Sequence, residues 1–258
     1  MIDFTKYNVK IDSAFYIDWG KGAAVARPRK FDALSFRLKG SAEYEYGDKK
    51  TTVEKNDLLF VPANFGYKIN ALKEEEVLVV HFFIENSNFD GLSLFKPLNP
   101  DIFRRLFEEM SEVWRKKTVG YAARLYSLFY EVVWQIAVQD EKKKLATKPR
   151  KFSEALSYMR DNFTSPETTV ETTAKYIGTS TVYLRKIFRE EMGVTPLKLL
   201  NDMRMDYAEK LLKSGYYKIE ELSFLAGFND PKYFSLLYKK KTGYPPSKRL
   251  KKAYASRD

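Results

Sequence analysis

The chain has 258 residues, 44% of them hydrophobic and 16% aromatic, enough for real cores and too apolar for disorder. It lacks cysteine and holds one histidine, His81, which excludes disulfides, thiolate chemistry and imidazole-rich metal sites and leaves Ser-His catalysis without its usual players. The net charge of +11 is uneven: residues 145–258 hold 22 Lys/Arg against 13 Asp/Glu, and residues 1–144 hold 23 against 21, so one half alone is suited to a polyanion.

The opening residues, Met-Ile-Asp-Phe-Thr-Lys, carry no apolar signal core, and the most apolar span, 121–138, is broken by Arg124, Glu131 and Gln135. Neither a secretory leader nor a membrane helix is expected, and the expected location is the cytoplasm. Residues 1–97 then alternate in the manner of strands. Leu34, Phe36 and Leu38 interleave with Ser35, Arg37 and Lys39, and Tyr44 and Tyr46 with Glu43 and Glu45. Leu58–Val61 stops at Pro62, and 77–84 is rich in branched and aromatic residues. Period-two alternation punctuated by Gly, Asp, Asn and Pro predicts a small antiparallel sandwich or barrel.

Phe36-Arg37-Leu38-Lys39-Gly40, then 54–62, then His81-Phe82-Phe83 resemble, in that order, a cupin-type sensor barrel. Asn56 stands where the family usually has glycine, and Asn tolerates positive φ almost as well. Catalytic cupins hold a metal with several histidines, a set that His81 alone cannot supply, so no metal, cofactor or catalytic residue is expected. Binding remains: a barrel lined by apolar walls with a few polar groups is suited to a small molecule. Lys39, Tyr67, Lys68 and His81 are the polar candidates. The plainer alternative is that His81 packs in the sheet while Lys39 and Lys68 are solvated.

Asn99-Pro100-Asp101 is a helix start, with Asn as cap and proline in first position. Ile102, Phe103, Leu106, Phe107, Met110, Val113 and Trp114 follow at helical spacing, and Tyr121, Leu125, Leu128, Phe129, Val132, Val133 and Ile136 mark a second helix. This pair, 98–140, is suited either to covering the barrel or to pairing with a second copy as a homodimer. Residues 141–151 (EKKKLATKPRK) are charged, contain Pro149 and lack a stripe, and are taken as the linker.

Residues 152–258 read as all-helical. Ser153 is the predicted cap of a first helix, and Thr168 with Glu171 a capping box for the next. Gly178 permits a tight turn, and Ser180 caps a helix from Thr181 to about Met192 that Gly193 closes. Leu184, Ile187 and Phe188 form its inner side; Val182, Arg185, Lys186 and Arg189 share the outer. Thr195-Pro196 opens a long connecting helix to about Ser214. A second unit begins near Ile219, and its second helix runs from Asp230-Pro231 to Gly243. There Phe234, Leu237 and Tyr238 point inward, and Lys232, Ser235, Leu236 and Lys239 outward.

This half repeats itself. Tyr183-Leu184, Phe188-Arg189, Gly193, Pro196, Lys198 and Leu200 recur 50 positions later as Tyr233-Phe234, Tyr238-Lys239, Gly243, Pro246, Lys248 and Leu250, the mark of a doubled supersecondary unit. Each copy places a tyrosine or phenylalanine in the core, a glycine at the helix end and a proline opening the next helix. Together with Ala174, Arg204, Ala208, Leu211-Leu212, Ile219 and Ala226-Gly227-Phe228, they resemble the AraC/XylS family of bacterial transcription regulators over about residues 150–252. The resemblance implies two recognition helices in successive major grooves of double-stranded DNA, roughly 34 Å apart. The DNA-contact candidates are Ser180, Thr181, Val182, Arg185, Lys186 and Arg189 in the first copy. Those in the second are Pro231, Lys232, Tyr233, Ser235, Leu236 and Lys239. Lys239-Lys240-Lys241 and 248–252 are suited to phosphates. The family usually has arginine at the position of Leu236, and Leu cannot donate to guanine. The first copy is therefore expected to read bases and the second to hold the backbone.

The fold expected is thus multidomain: an N-terminal antiparallel cupin-like barrel, a helical pair, and a C-terminal domain of two helix-turn-helix motifs joined by a long helix. The function expected is an effector-controlled transcription regulator, not an enzyme, with a carbohydrate as the effector that family habit suggests. RNA polymerase is a further candidate partner; a membrane is not. Three alternatives stay open: a cupin-type sugar enzyme fused to a DNA-binding domain, an effector-independent regulator with an empty barrel, and an architectural nucleoid protein.

Overall fold

The computed structural model describes residues 4–85, 89 and 91–255, without the side chains of Thr5 and 251–255. Two compact units divide between Lys142 and Lys143. Among the described residues, no helix is long and apolar enough to cross a membrane.

In the first unit a 3-10 turn (Phe4–Lys6) leads into β1 (Val9–Trp19), β2 (Gly22–Ala26), β3 (Asp32–Lys39), β4 (Ser41–Tyr46), β5 (Lys49–Glu54), β6 (Leu58–Val61), β7 (Tyr67–Ala71), β8 (Glu75–Ile84) and β9 (Ser93–Phe95). They pair antiparallel in two sheets, ordered β1-β8-β3-β6-β9 and β2-β7-β4-β5. The β domain is therefore a two-sheet sandwich. The pleat sends successive side chains to opposite faces, and the five-stranded sheet uses both. Ala33, Leu59, Val61 and Val79 lie between the sheets with Tyr44, Val53, Tyr67 and Ile69. Their neighbours Leu34, Phe36, Leu58, Phe60, Leu78, Val80 and Phe82 turn the other way. There they meet Phe103, Phe107 and Met110 of α1 (Pro100–Lys116) and Leu125, Phe129 and Val132 of α2 (Tyr121–Ala146). Burial on both faces makes β6 apolar throughout, Leu-Leu-Phe-Val, instead of alternating.

Asn56 takes φ +72° in the turn before β6, the conformation its place in the glycine position requires. Arg104 of α1 donates to its side-chain oxygen at 3.1 Å. Asn99 does sit at the α1 cap, but its side chain makes no capping bond. The buried Gln139 braces the approach to the helix, its Oε1 receiving the Leu98 and Asn99 amides at 2.7 and 3.1 Å.

Helix α2 runs on to Ala146, so 141–146, expected to begin a linker, is helical. Glu, Lys, Leu and Ala are strong helix formers, and nothing interrupts them before Thr147 and Pro149. The second unit contains α3 (Arg150–Asn162), α4 (Val170–Tyr176), α5 (Thr181–Met192), α6 (Pro196–Ser214), α7 (Ile219–Leu225), α8 (Pro231–Thr242) and α9 (Pro246–Ala255). Two cap expectations are corrected. α3 begins at Arg150, and the Ser153 hydroxyl donates to the Leu145 carbonyl at 3.1 Å rather than capping. At α4 the reciprocal box joins Thr169 and Thr172, because Thr168 is buried with its hydroxyl given to the Asn162 carbonyl at 2.7 Å.

Candidate nucleic-acid interface

Local chemistry holds each outward helix at both ends. α5 starts at Ser180, whose hydroxyl accepts from the Tyr183 amide at 3.2 Å, and stops at Gly193, φ +69°. α8 starts at Asp230, whose carboxylate accepts from the Lys232 amide at 2.8 Å with Pro231 in first position, and stops at Gly243, φ +83°. Ser180 is thus engaged as a cap before any contact it makes outside the chain.

On α5, Leu184, Ile187 and Phe188 are buried. Val182, Arg185, Lys186 and Arg189 share the exposed side and line a shallow concavity with Glu190, and Thr181 is half-buried at the helix start. Two loose ion pairs cross this surface, Arg185 with Glu171 and Lys186 with Glu190, each at 3.9 Å with every partner more than half exposed. Pairs of that kind are worth about 0–1 kcal/mol, so they would yield to an anionic partner at little cost.

On α8, Phe234 and Tyr238 are buried, Pro231 and Ser235 half-buried, and Lys232, Leu236, Lys239 and Lys240 exposed. Two basic residues expected at phosphates have carboxylate partners within the chain. Lys241 pairs with Asp206 at 2.8 Å, and Arg249 with Glu209 at 2.9 Å. Lys251 and Lys252 lie outside the described side chains. Tyr183 and the contact candidate Tyr233 are 41% and 40% exposed. Each precedes a buried residue on its helix, so its ring sits at the rim of the outward face. The Tyr233 hydroxyl accepts from Asn201 Nδ2 at 3.1 Å. Tyr183 joins the contact candidates; its equivalence to Tyr233 in the repeat was the signal that pointed to it.

In the sandwich, two of the four polar candidates face the interior. Tyr67 is buried, and its hydroxyl accepts from Arg29 Nη2 at 3.2 Å. His81 has Nδ1 3.4 Å from Ser13 Oγ, with the rings of Phe31 and Phe15 centred 4.2 and 5.0 Å away. Burial first, then the Arg29 charge, push its pKa down to about 4, with Asp12 opposing, so the ring is neutral near pH 7. Lys39 is exposed at the end of β3 beside Glu74 and Glu76, at 3.6 and 3.4 Å. Lys68 is exposed in a shallow groove with Val25, Glu43 and Asn70. Neither lysine converges on the Tyr67–His81 pair.

Arg29 does, its guanidinium lying over the Phe31 and Tyr67 rings at 5.2 and 5.9 Å. Nothing in the sequence singled it out from Arg27 and Lys30. Deeper in, Arg37 and Glu75 form a buried ion pair, and Arg37 Nη2 donates to the Tyr44 hydroxyl at 3.1 Å. Burial pushes the Tyr44 pKa up to about 12 despite Arg37.

Two turn-linked helix pairs joined by α6 define a double helix-turn-helix domain, the class built to present two helices to DNA. Residues 173–252 match the family model described as a helix-turn-helix domain. The raffinose operon transcriptional regulatory protein RafR of Pediococcus pentosaceus is 28% identical over 124 residues, 48% of this chain and 44% of that protein. The arabinose operon regulatory protein of Escherichia coli K12 is 31% identical over 94 residues, 36% of this chain and 32% of that protein. Among solved structures, the C-terminal domain of AraT, a response regulator from Geobacillus stearothermophilus, is 28% identical with a TM-score of 0.39, covering 41% of this chain and 88% of that one. The chain spans less than half the length of the two curated relatives. Both are regulatory proteins by name, not enzymes. Residues 173–252 of this chain are thus a helix-turn-helix domain, similar in sequence to these regulatory proteins.

Proposed function

We propose that the protein is a DNA-binding transcription regulator whose 152–258 region reads DNA with α5 and α8 and whose N-terminal sandwich senses a small molecule. The observation that carries the reading is the exposed Arg185, Lys186 and Arg189 on a helix capped at both ends. Long basic side chains on such a helix are suited to base edges and phosphates of a major groove. α8, with Lys232 and Lys239 exposed and Leu236 in place of a donor, holds the backbone and touches at most a thymine methyl.

The sensor reading rests on Arg29, Tyr67, Ser13 and a neutral His81 around the Phe15 and Phe31 rings. Several uncharged donors and acceptors beside aromatic faces suit a hydroxyl-rich ligand such as a sugar, and two relatives are named for sugar operons. The 98–140 helices leave Tyr130 and Trp134 exposed, a face for a second copy, and RNA polymerase is the partner that regulation would require. Selection of bound fragments from genomic DNA, with and without candidate sugars, tests the whole reading. Enrichment of one sequence class supports it, and binding no better than bulk DNA refutes it. A thermal shift on sugar addition tests the sensor separately.

A further inference from the structure

The two helix-turn-helix units do not share one apolar core. Buried side chains up to Leu200 form one cluster and those from Met205 onward another, bridged by an edge contact of Phe163 with Tyr207 at 5.8 Å. The seam between them is polar. Arg204, buried on α6 between the clusters, gives Nε to the Phe163 carbonyl at 2.7 Å. Its Nη2 goes to the Ser165 and Thr168 carbonyls at 2.9 and 2.7 Å. Those carbonyls belong to the loop that leads into α4 of the first unit.

The same loop also meets the second unit. Arg204 lies 5.9 Å from the Phe228 ring, in the turn between α7 and α8. Gly227 of that turn has φ +90°, and a Cβ there would run into the Phe163 carbonyl oxygen and stand 2.8 Å from Arg204 Nε. Asn229 Nδ2 donates to the Pro166 carbonyl at 3.2 Å. α6 is therefore one connection between the units, and the loop 163–168, organised by Arg204, is a second. A helix sets the distance between two bodies attached at its ends but lets each rock about its attachment; a second joint removes that freedom.

We propose that Arg204 is a positioning residue for DNA recognition. By holding the 163–168 loop against the Gly227 turn, it fixes the angle between α5 and α8 at the separation α6 sets, and so whether both helices reach DNA at once. The proposal rests on α5 reading DNA and α8 holding its backbone.

The test uses the full chain and a DNA fragment selected for binding to it. Affinity is measured for that fragment and for one shortened so that its duplex ends before the groove that α8 occupies. The ratio of affinities for the parent and shortened fragments is the readout, since within one protein it does not depend on the active fraction. Wild type is expected to lose about tenfold or more on shortening, through the phosphate contacts removed with the α8 segment. Arg204→Gln is expected to lose under about threefold while keeping wild-type affinity for the shortened fragment, and Arg204→Lys to fall between. Asn229→Ala, which removes only an exposed amide, shifts the ratio the same way and decides the matter if Arg204→Gln lacks wild-type helical circular dichroism. Wild-type ratios in the folded variants, or a wild type indifferent to shortening, each overturn the proposal. Failure of wild type to prefer any DNA overturns the functional reading instead.

Discussion

Arg185→Ala separates reading from holding. The side chain is 55% exposed and its partner Glu171 stands 3.9 Å away, so the fold loses no more than about 0.5 kcal/mol. Alanine also favours the helix. A guanidinium forked onto guanine is worth about 1–3 kcal/mol at that base pair, roughly 5- to 150-fold in Kd. Almost all of the effect should therefore fall on binding and little on melting. Lys239→Ala supplies the contrast: losing one phosphate contact lowers the slope of log K against log salt by about 0.9 and weakens every sequence alike. Fluorescence anisotropy would follow a selected fragment, the same fragment altered at single base pairs under α5, and unrelated DNA, each at several salt concentrations. Arg185→Ala is expected to flatten the preference at one base pair and leave the thermal melt in place. If it weakens all fragments equally while Lys239→Ala weakens only the selected one, the assigned roles of the two copies are reversed.

The other expectations concern the fold beneath the sites. Ser180→Ala removes the α5 cap bond to the Tyr183 amide and should cost about 1 kcal/mol in chemical denaturation. Ser180→Asp keeps a capping oxygen but sets a negative charge at the DNA face, so stability should hold while DNA affinity falls; a fall in both would contradict the cap assignment. Glu75→Ala leaves Arg37 buried without its counter-ion and should cost about 3–5 kcal/mol, seen as a lower melting temperature; a loss under 1 kcal/mol would argue against that burial. His81 has a folded pKa pushed from 6.5 to about 4, so the unfolded chain takes up its proton first as pH falls. Its stability contribution is present above pH 6.5 and is lost as pH drops towards 4, by at most about 1.4 kcal/mol per pH unit. His81→Gln should flatten calorimetric melts across that window; an unchanged slope would place the titration elsewhere.

What was legible in the chain rests on chemistry that acts within a few residues. Ser180 before α5, Asp230-Pro231 before α8 and the closing glycines 193 and 243 each set a local backbone conformation, and each stands where its residue type predicts. The α4 cap was less legible because Thr168, Thr169 and Thr172 offer the same hydroxyl within one turn; only the burial of Thr168 decides among them. Tyr183 shows the same limit, since an aromatic one position from a buried residue looks alike whether it ends in the core or at its rim. In the sandwich, alternation predicted strands but not which face meets the second sheet. Lys39 and Lys68 therefore looked equivalent to Tyr67 and His81, and Arg29, in a loop without period, did not stand out.

The sequence by itself determined the doubled helical unit, the ends of α5 and α8, the two-domain division of charge and the unequal outward faces of the two copies, because periodicity, capping and charge are properties of neighbours in the chain. Only the tertiary structure decided which polar groups meet. Arg204 finds its three carbonyls 36 to 41 residues away, and Arg29 finds Tyr67 across 38. Such pairings follow from how layers and helices pack, and they leave no local pattern from which to read them.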